Sequence, residues 1–154
     1  MSGRAPAEAA HHEKLYREDG GLFMAASRGQ TALVKQLIAR GEDLDWANKD
    51  QQTPVWVAVW NGHPETLEVL LAAGAKVDPL TISGISPLMQ AVICHKTACV
   101  KVLLKYQADT SLRHPGDGDD LTALGMALER NYKDCIALLK QQPARPPDDA
   151  APNS

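Results

Sequence analysis

Residues 48–80 read NKDQQTPVWVAVWNGHPETLEVLLAAGAKVDPL, and this stretch decides the fold because it recurs, with losses, on both sides of itself. Advancing the chain by 33 residues lays Thr53-Pro54 on Ser86-Pro87, Ala58 on Ala91 and Leu70-Leu71 on Leu103-Leu104. Moving the other way lays Gly62 on Gly29, Gly74 on Gly41 and Asp78 on Asp45. A period in the range of about 20 to 50 residues marks a stack of small units, each unable to bury its own apolar face and each covering its neighbour's.

Every part of the stretch has a mechanical reading. Thr53 supplies a side-chain oxygen at a helix start, and Pro54 stands just inside it, where its missing N–H costs nothing. Ala58 is small where one helix must approach another. Gly62-His63-Pro64 breaks the chain, after which Leu67, Leu70 and Leu71 form the apolar face of a second helix. Gly74 then caps that helix, and Ala75 to Asp78 lead out as an extended segment.

The same register organises the flanks. The first unit is expected to turn Leu22, Ala25 and Ala26 inward and stop near Gly29. A second helix follows, capped by Thr31 and carrying Leu33, Val34, Leu37 and Ile38 on one face, and Gly41 ends it. In the third unit His95 stands at the Gly62 position and Gln107 at the Gly74 position. Two left-handed backbone positions are thus held by residues for which they are costly, and local stability is expected to be lower there. The fourth unit follows an enlarged turn, Arg113 to Asp120, which makes the Ala91-to-Ala127 interval 36 residues. Its inward face is Cys135, Ile136 and Leu139, and Lys133, Lys140, Gln141 and Gln142 make its outer side polar, as a terminal unit requires. The expected division is a mobile lead-in over 1–18 with a short covering helix at 13–18, units at about 19–47, 48–80, 81–112 and 113–142, and a disordered Pro-rich tail over 143–154.

Composition excludes several classes. With 44% hydrophobic and 23% charged residues the 154-residue chain is globular, and a net charge of −3 at a pI near 5.9 gives no general attraction to nucleic acid or anionic membrane. No apolar run reaches the length of a bilayer span, and neither a secretory leader nor a myristoylation signal is present at the start. Cys94, Cys99 and Cys135 are an odd set without a C-x-x-C pair, which argues against a disulfide framework and a zinc module. Cytoplasm or nucleus is the expected address.

Taken together, these residues resemble the ankyrin repeat. Its pattern places Thr-Pro-Leu-His at the start of the first helix, Ala-Ala within it, Gly-His between helices, a Leu pair in the second helix and Gly-Ala before the connecting hairpin. Thr53-Pro54-Val55-Trp56, Ala58, Gly62-His63, Leu70-Leu71 and Gly74-Ala75 stand at those positions. The resemblance covers about residues 20–142 and implies an all-α solenoid of stacked helix-turn-helix units joined by β-hairpin loops. Trp56, Met89 and Gly125 replace the family's His, so the hydrogen bonding that His provides is not carried over. Asp45, Asp78 and Ser111 replace an Asn near the hairpin, and the hydroxylation known for that Asn is not carried over either.

Catalytic motifs are wanting. Cys94-His95 lacks an orienting group and an oxyanion site, and Cys99 and Cys135 share one repeat position and read as buried core thiols. His11-His12 supplies half a metal-ligand set on a loose segment, and Asp117, Asp119 and Asp120 lack the spacing of a calcium loop. No phosphate-binding glycine pattern occurs. No enzyme activity, cofactor or metal is expected.

What the resemblance does imply is a concave surface made by the hairpin tips and the exposed side of each first helix. In this chain it maps to Ser27 and Arg28; Lys49, Asp50, Gln52, Trp60 and Asn61; Ile82, Ser83, Ile85, Ile93 and Cys94; and Glu129 and Arg130. Trp60, Ile82, Ile85 and Ile93 give an apolar centre within a charged rim, the composition of a binding patch. Trp56 is expected at an inter-repeat position and Trp46 at a hairpin base. The chain is therefore expected to be a monomeric, non-enzymatic adaptor or inhibitor whose partner is another protein, with no nucleic-acid or membrane partner. The alternative is an accessory or targeting subunit of an enzyme carried on another chain.

Overall fold

Thr53, Ser86 and Thr122 each begin a helix in the same way. Their hydroxyls accept the backbone N–H three residues on, from Trp56 at 3.2 Å, Met89 at 3.2 Å and Gly125 at 3.1 Å, so that one of the helix's orphan donors is satisfied. The computed structural model describes residues 20–116 and 121–141, and eight α-helices lie among them. They are α1 Gly21–Ser27, α2 Thr31–Ala39, α3 Pro54–Trp60, α4 Pro64–Ala72, α5 Pro87–Ile93, α6 Thr97–Lys105, α7 Ala123–Arg130 and α8 Lys133–Gln141. The lead-in with its covering helix, the acidic turn residues Asp117, Asp119 and Asp120, and the Pro-rich tail lie outside the described residues.

The helices form four antiparallel pairs, and the pairs stack. Odd-numbered helices pack on one another in one row, even-numbered helices in a second row, and the core lies between the rows. Ala25, Ala58, Ala91 and Ala127 form a fully buried column down the first row. Each also accepts, at its carbonyl, the N–H five residues on: Gln30, His63, Lys96 and Tyr132, at 2.7–3.0 Å. That bond closes the turn into the second helix, and the residue before each donor is left-handed: Gly29, Gly62, His95 and Asn131 at φ 66, 71, 54 and 56. A second left-handed row, Gly41, Gly74 and Gln107, ends α2, α4 and α6.

The second row supplies Val34, Leu37, Leu67, Leu70, Leu71, Val100, Leu103, Leu104 and Leu139 to the core. Leu33, Ile38 and Ile136 are half-buried at its edge. Lys133, Lys140 and Gln141 are exposed on the last helix. One expected cap is corrected. Gln30, not Thr31, precedes α2, and no side chain caps that helix. Thr31 sits in the first turn, where its hydroxyl pairs with Thr66 in the next unit at 2.9 Å.

Between units the chain forms hairpin-like turns, and no strand is present among the described residues. Asn48 N–H donates to Gln52 O at 3.1 Å, Thr81 to Ile85 at 3.1 Å, and His114 to Leu121 at 3.0 Å. These three closures are equivalent by register. The enlarged turn therefore inserts its extra residues between the two ends of its closing bond and leaves the stack in step. Asp45 Oδ1 accepts Lys76 N–H at 2.9 Å, and Asp78 Oδ1 accepts Asp109 N–H at 3.0 Å. The two carboxylates at the family's Asn position thus tie each unit to the next, while Ser111 instead donates back to Asp109.

Candidate functional site

The stack positions the tips of the turns and the outer side of the first helix row together. Ile82 N–H donates to Asp50 O at 2.9 Å, which fixes the second tip against the third. Asn61, just after α3, donates through Nδ2 to the Ser27 carbonyl at 3.0 Å and hydroxyl at 2.9 Å, and His63 Nε2 lies 3.1 Å from the same carbonyl. The His63 ring occupies the space that a side chain on Gly29 would need, since a Cβ there would lie 2.5 Å from Nδ1. These bonds hold α1 and α3 at a fixed separation.

The result is an open groove of about 470 Å³ lined by Phe23, Ser27, Asn48, Gln52, Trp56, Val57, Trp60 and Asn61. Its lining carries no formal charge and combines aromatic faces with amides and a hydroxyl. Trp60 stacks on Trp56, with ring centroids 5.1 Å apart and planes 23° from parallel. Trp56 is buried, as its inter-repeat position implied, and its indole N–H has no hydrogen-bond partner among the described residues. The hydrogen bonding of the family's His is therefore not reproduced among the described residues. Trp46 meets Phe23 edge-on at 5.6 Å.

The residues expected to face a partner divide into three groups. Gln52, Trp60 and Asn61 line one groove together with Ser27. Arg28, Lys49, Asp50, Ser83, Glu129 and Arg130 are exposed around the tips and helix ends, and Ile82 is 72% exposed on the third tip. Ile85 and Ile93 are half-buried against the core and are not free apolar surface. Ile85 precedes the cap of α5, and its N–H is held by Thr81 Oγ1 at 3.2 Å. Ile93 shares the register of Trp60, but a smaller side chain packs where the indole spreads outward, leaving Trp60 49% exposed. Phe23 and Asn48 had not been singled out. Phe23 stands one period before Trp56, so the slide that matches Gly29 to Gly62 also finds it.

The Cys94-His95 pair does not form a nucleophile and base. Cys94 Sγ accepts from Gln90 Nε2 at 2.8 Å, whereas His95 Nε2 faces Asp134 at 2.9 Å. Cys99 and Cys135 are buried, as the register implied, and burial pushes Cys99 up to about 11. No helix among the described residues is long and apolar enough to cross a membrane.

Comparison with known proteins agrees with this geometry. The sequence model of ankyrin repeats (3 copies) matches residues 8–81 and 77–149. The chain is 35% identical over 124 residues to the Caenorhabditis elegans ankyrin repeat and KH domain-containing protein mask-1, covering 77% of this chain and 4% of that protein. It is 33% identical over 137 residues to the Gallus gallus nuclear factor NF-kappa-B p105 subunit, covering 83% of this chain and 14% of the relative. The crystal structure of the human ASB11 ankyrin repeat domain superposes with a TM-score of 0.67 at 28% identity, covering 78% of this chain and 52% of that one. The chain thus spans a small part of the relatives it matches.

Proposed function

The chain belongs to the ankyrin-repeat family, and from that premise we propose that it is a non-enzymatic adaptor or inhibitor that seats a protein partner on the concave side of the stack. Ankyrin repeats generally mediate protein–protein interaction. The observation that carries the reading is Trp60, a large aromatic left 49% exposed beside a groove, at a register where the third unit has a tucked Ile93 and the fourth a charged Glu129. Half of a Trp side chain is roughly 100 Å², and at about 25 cal/mol per Å² its burial contributes about 2.5 kcal/mol. Ile82, exposed on the neighbouring tip, adds a second apolar anchor, and Arg28, Lys49, Asp50, Glu129 and Arg130 supply the charged rim. The three free cysteines support a reducing compartment, cytoplasm or nucleus.

Crosslinking with mass spectrometry on the wild type beside a Trp60→Ala, Ile82→Ala variant identifies the partners that depend on this surface. For such a partner, Trp60→Ala is expected to cost about 2 kcal/mol or more of affinity by titration calorimetry, with circular dichroism unchanged. Unchanged affinity in a folded variant overturns the assignment. The alternative reading is an accessory or targeting subunit for an enzyme on another chain. An enzyme that co-purifies in fixed stoichiometry selects that reading; transient capture selects the adaptor.

A further inference from the structure

The junction between the third and fourth helix pairs carries a set of side chains that earlier junctions lack. At the register of Asp134 the preceding units have Ala32, Glu65 and Ala98; at the register of His95 they have Gly29 and Gly62. His95 holds the left-handed conformation at φ 54, and its imidazole lies flat on the Tyr132 ring, with centroids 3.9 Å apart and planes 7° from parallel. In this posture Nε2 reaches both Asp134 carboxylate oxygens, at 2.9 and 3.1 Å. The Thr97 hydroxyl donates to the same carboxylate. Cys135 follows Asp134 in the first turn of α8, and the imidazole nitrogen, a carboxylate oxygen and the thiol sulfur all lie within 4.8 Å of one another.

A hydrogen-bonded His–Asp pair accounts for two of these groups and leaves the third. Cys135 stands at the register of Thr66, and Thr97 at the register of Thr31, so the thiol occupies the position that pairs with a hydroxyl at the first junction. Burial and the Asp134 charge push the Cys135 thiol up, while the Thr97 hydroxyl opposes them. The Thr97 hydroxyl and His95 together hold Asp134 down at about 2, so the carboxylate is ionised.

We propose that His95, Asp134 and Cys135 form a three-ligand site for a borderline divalent cation of the zinc type, with the fourth position open to solvent. Imidazole, carboxylate and thiolate together select zinc or cobalt over magnesium and calcium, which take oxygen donors. Metal–ligand bonds of about 2.0–2.3 Å in a tetrahedron separate the donors by roughly 3.3–3.8 Å. The His95–Asp134 pair therefore opens by a few tenths of an ångström as the cation replaces the proton between them, and the sulfur lies within reach. Binding releases the Cys135 thiol proton to solvent, with a second proton if His95 is charged. Thr97 and Tyr132 act as positioning residues, the first on the carboxylate and the second on the imidazole. The cation ties the terminal unit, which has a neighbour on one side only among the described helices, to the stack.

Cobalt(II) titrated into the reduced full-length chain tests the site. One ion per chain is expected, with a thiolate-to-cobalt charge-transfer band that zinc abolishes by displacement, and a melting temperature that rises with zinc but not with magnesium. Cys135→Ser removes the band, while Cys94→Ser, Cys99→Ser and a His11→Ala, His12→Ala variant keep it. Thr97→Val weakens binding about 10- to 100-fold. The assignment falls if the folded wild type shows no band, if the band follows Cys94 or Cys99, or if cobalt binding is lost only with His11 and His12. Should Cys135→Ser fail to fold, His95→Gln and Asp134→Asn decide, since both alter exposed side chains; unchanged affinity in both overturns it.

Discussion

The second and third units share one register and differ in what they place on it. At the two left-handed helix ends the second unit has Gly62 and Gly74, and the third has His95 and Gln107 at φ 54 and 63. At the turn tip the roles reverse, with Gln51 left-handed at φ 62 in the second unit and Gly84 at φ 77 in the third. The stack therefore imposes the conformation, and glycine only lowers its cost. Where the chain bears that cost, the side chain gains a position no glycine offers: His95 reaches across to Asp134 and Tyr132 in the next unit. Where it does not, as at Gly29, the junction is held instead by Asn61 and His63 of the next unit, which bond back to Ser27.

The strongest test of this equivalence is in the core. Leu70 and Leu103 are both fully buried at the same register, so Leu70→Ala and Leu103→Ala are each expected to lose about 2–5 kcal/mol in urea unfolding, by similar amounts. A much smaller loss at Leu103 would mean that the third unit is more loosely packed, and the comparison would no longer concern the helix ends alone. Next in size is Gly62→Ala. Its Cβ would first meet the flexible Lys96 side chain, at 3.1–3.3 Å, so the cost is mainly that of the left-handed backbone, about 1–2 kcal/mol in the same measurement. The smallest effect runs the other way. Gln107 is exposed and left-handed, and Gln107→Gly is expected to raise stability by up to about 1 kcal/mol, the relieved strain exceeding the entropy that glycine loses on folding. A loss there would show that the Gln107 side chain contributes a stabilising contact.

The repeat itself was legible because its signals are local. Thr53-Pro54 and Ser86-Pro87 marked helix starts, and the paired leucines marked the second row. Thr31 misled for a specific reason: the left-handed Gly29 already closes that turn through the Gln30 N–H bond to Ala25, so the threonine falls inside the helix. The binding face was half legible. Register located Trp60 and Ile82, but whether an isoleucine at such a position turns out or in depends on its neighbours, and Ile85 and Ile93 pack against the core. Phe23 escaped because its unit lacks the Thr-Pro signal. The His95, Asp134 and Cys135 cluster had no ligand spacing to betray it, since stacking, not sequence proximity, brings His95 to the adjacent Asp134 and Cys135.

The turn closed by His114 and Leu121 has a practical consequence. A Cβ on Gly84 would lie 2.6 Å from Pro115, so the third and fourth tips are in close register, and the extra residues of the longer turn fall between the two ends of its closing bond. Chain length there is decoupled from the geometry of the scaffold. Between those two residues the molecule offers an insertion point, where a grafted epitope or reactive loop can be displayed next to the third tip while the units beneath keep their alignment.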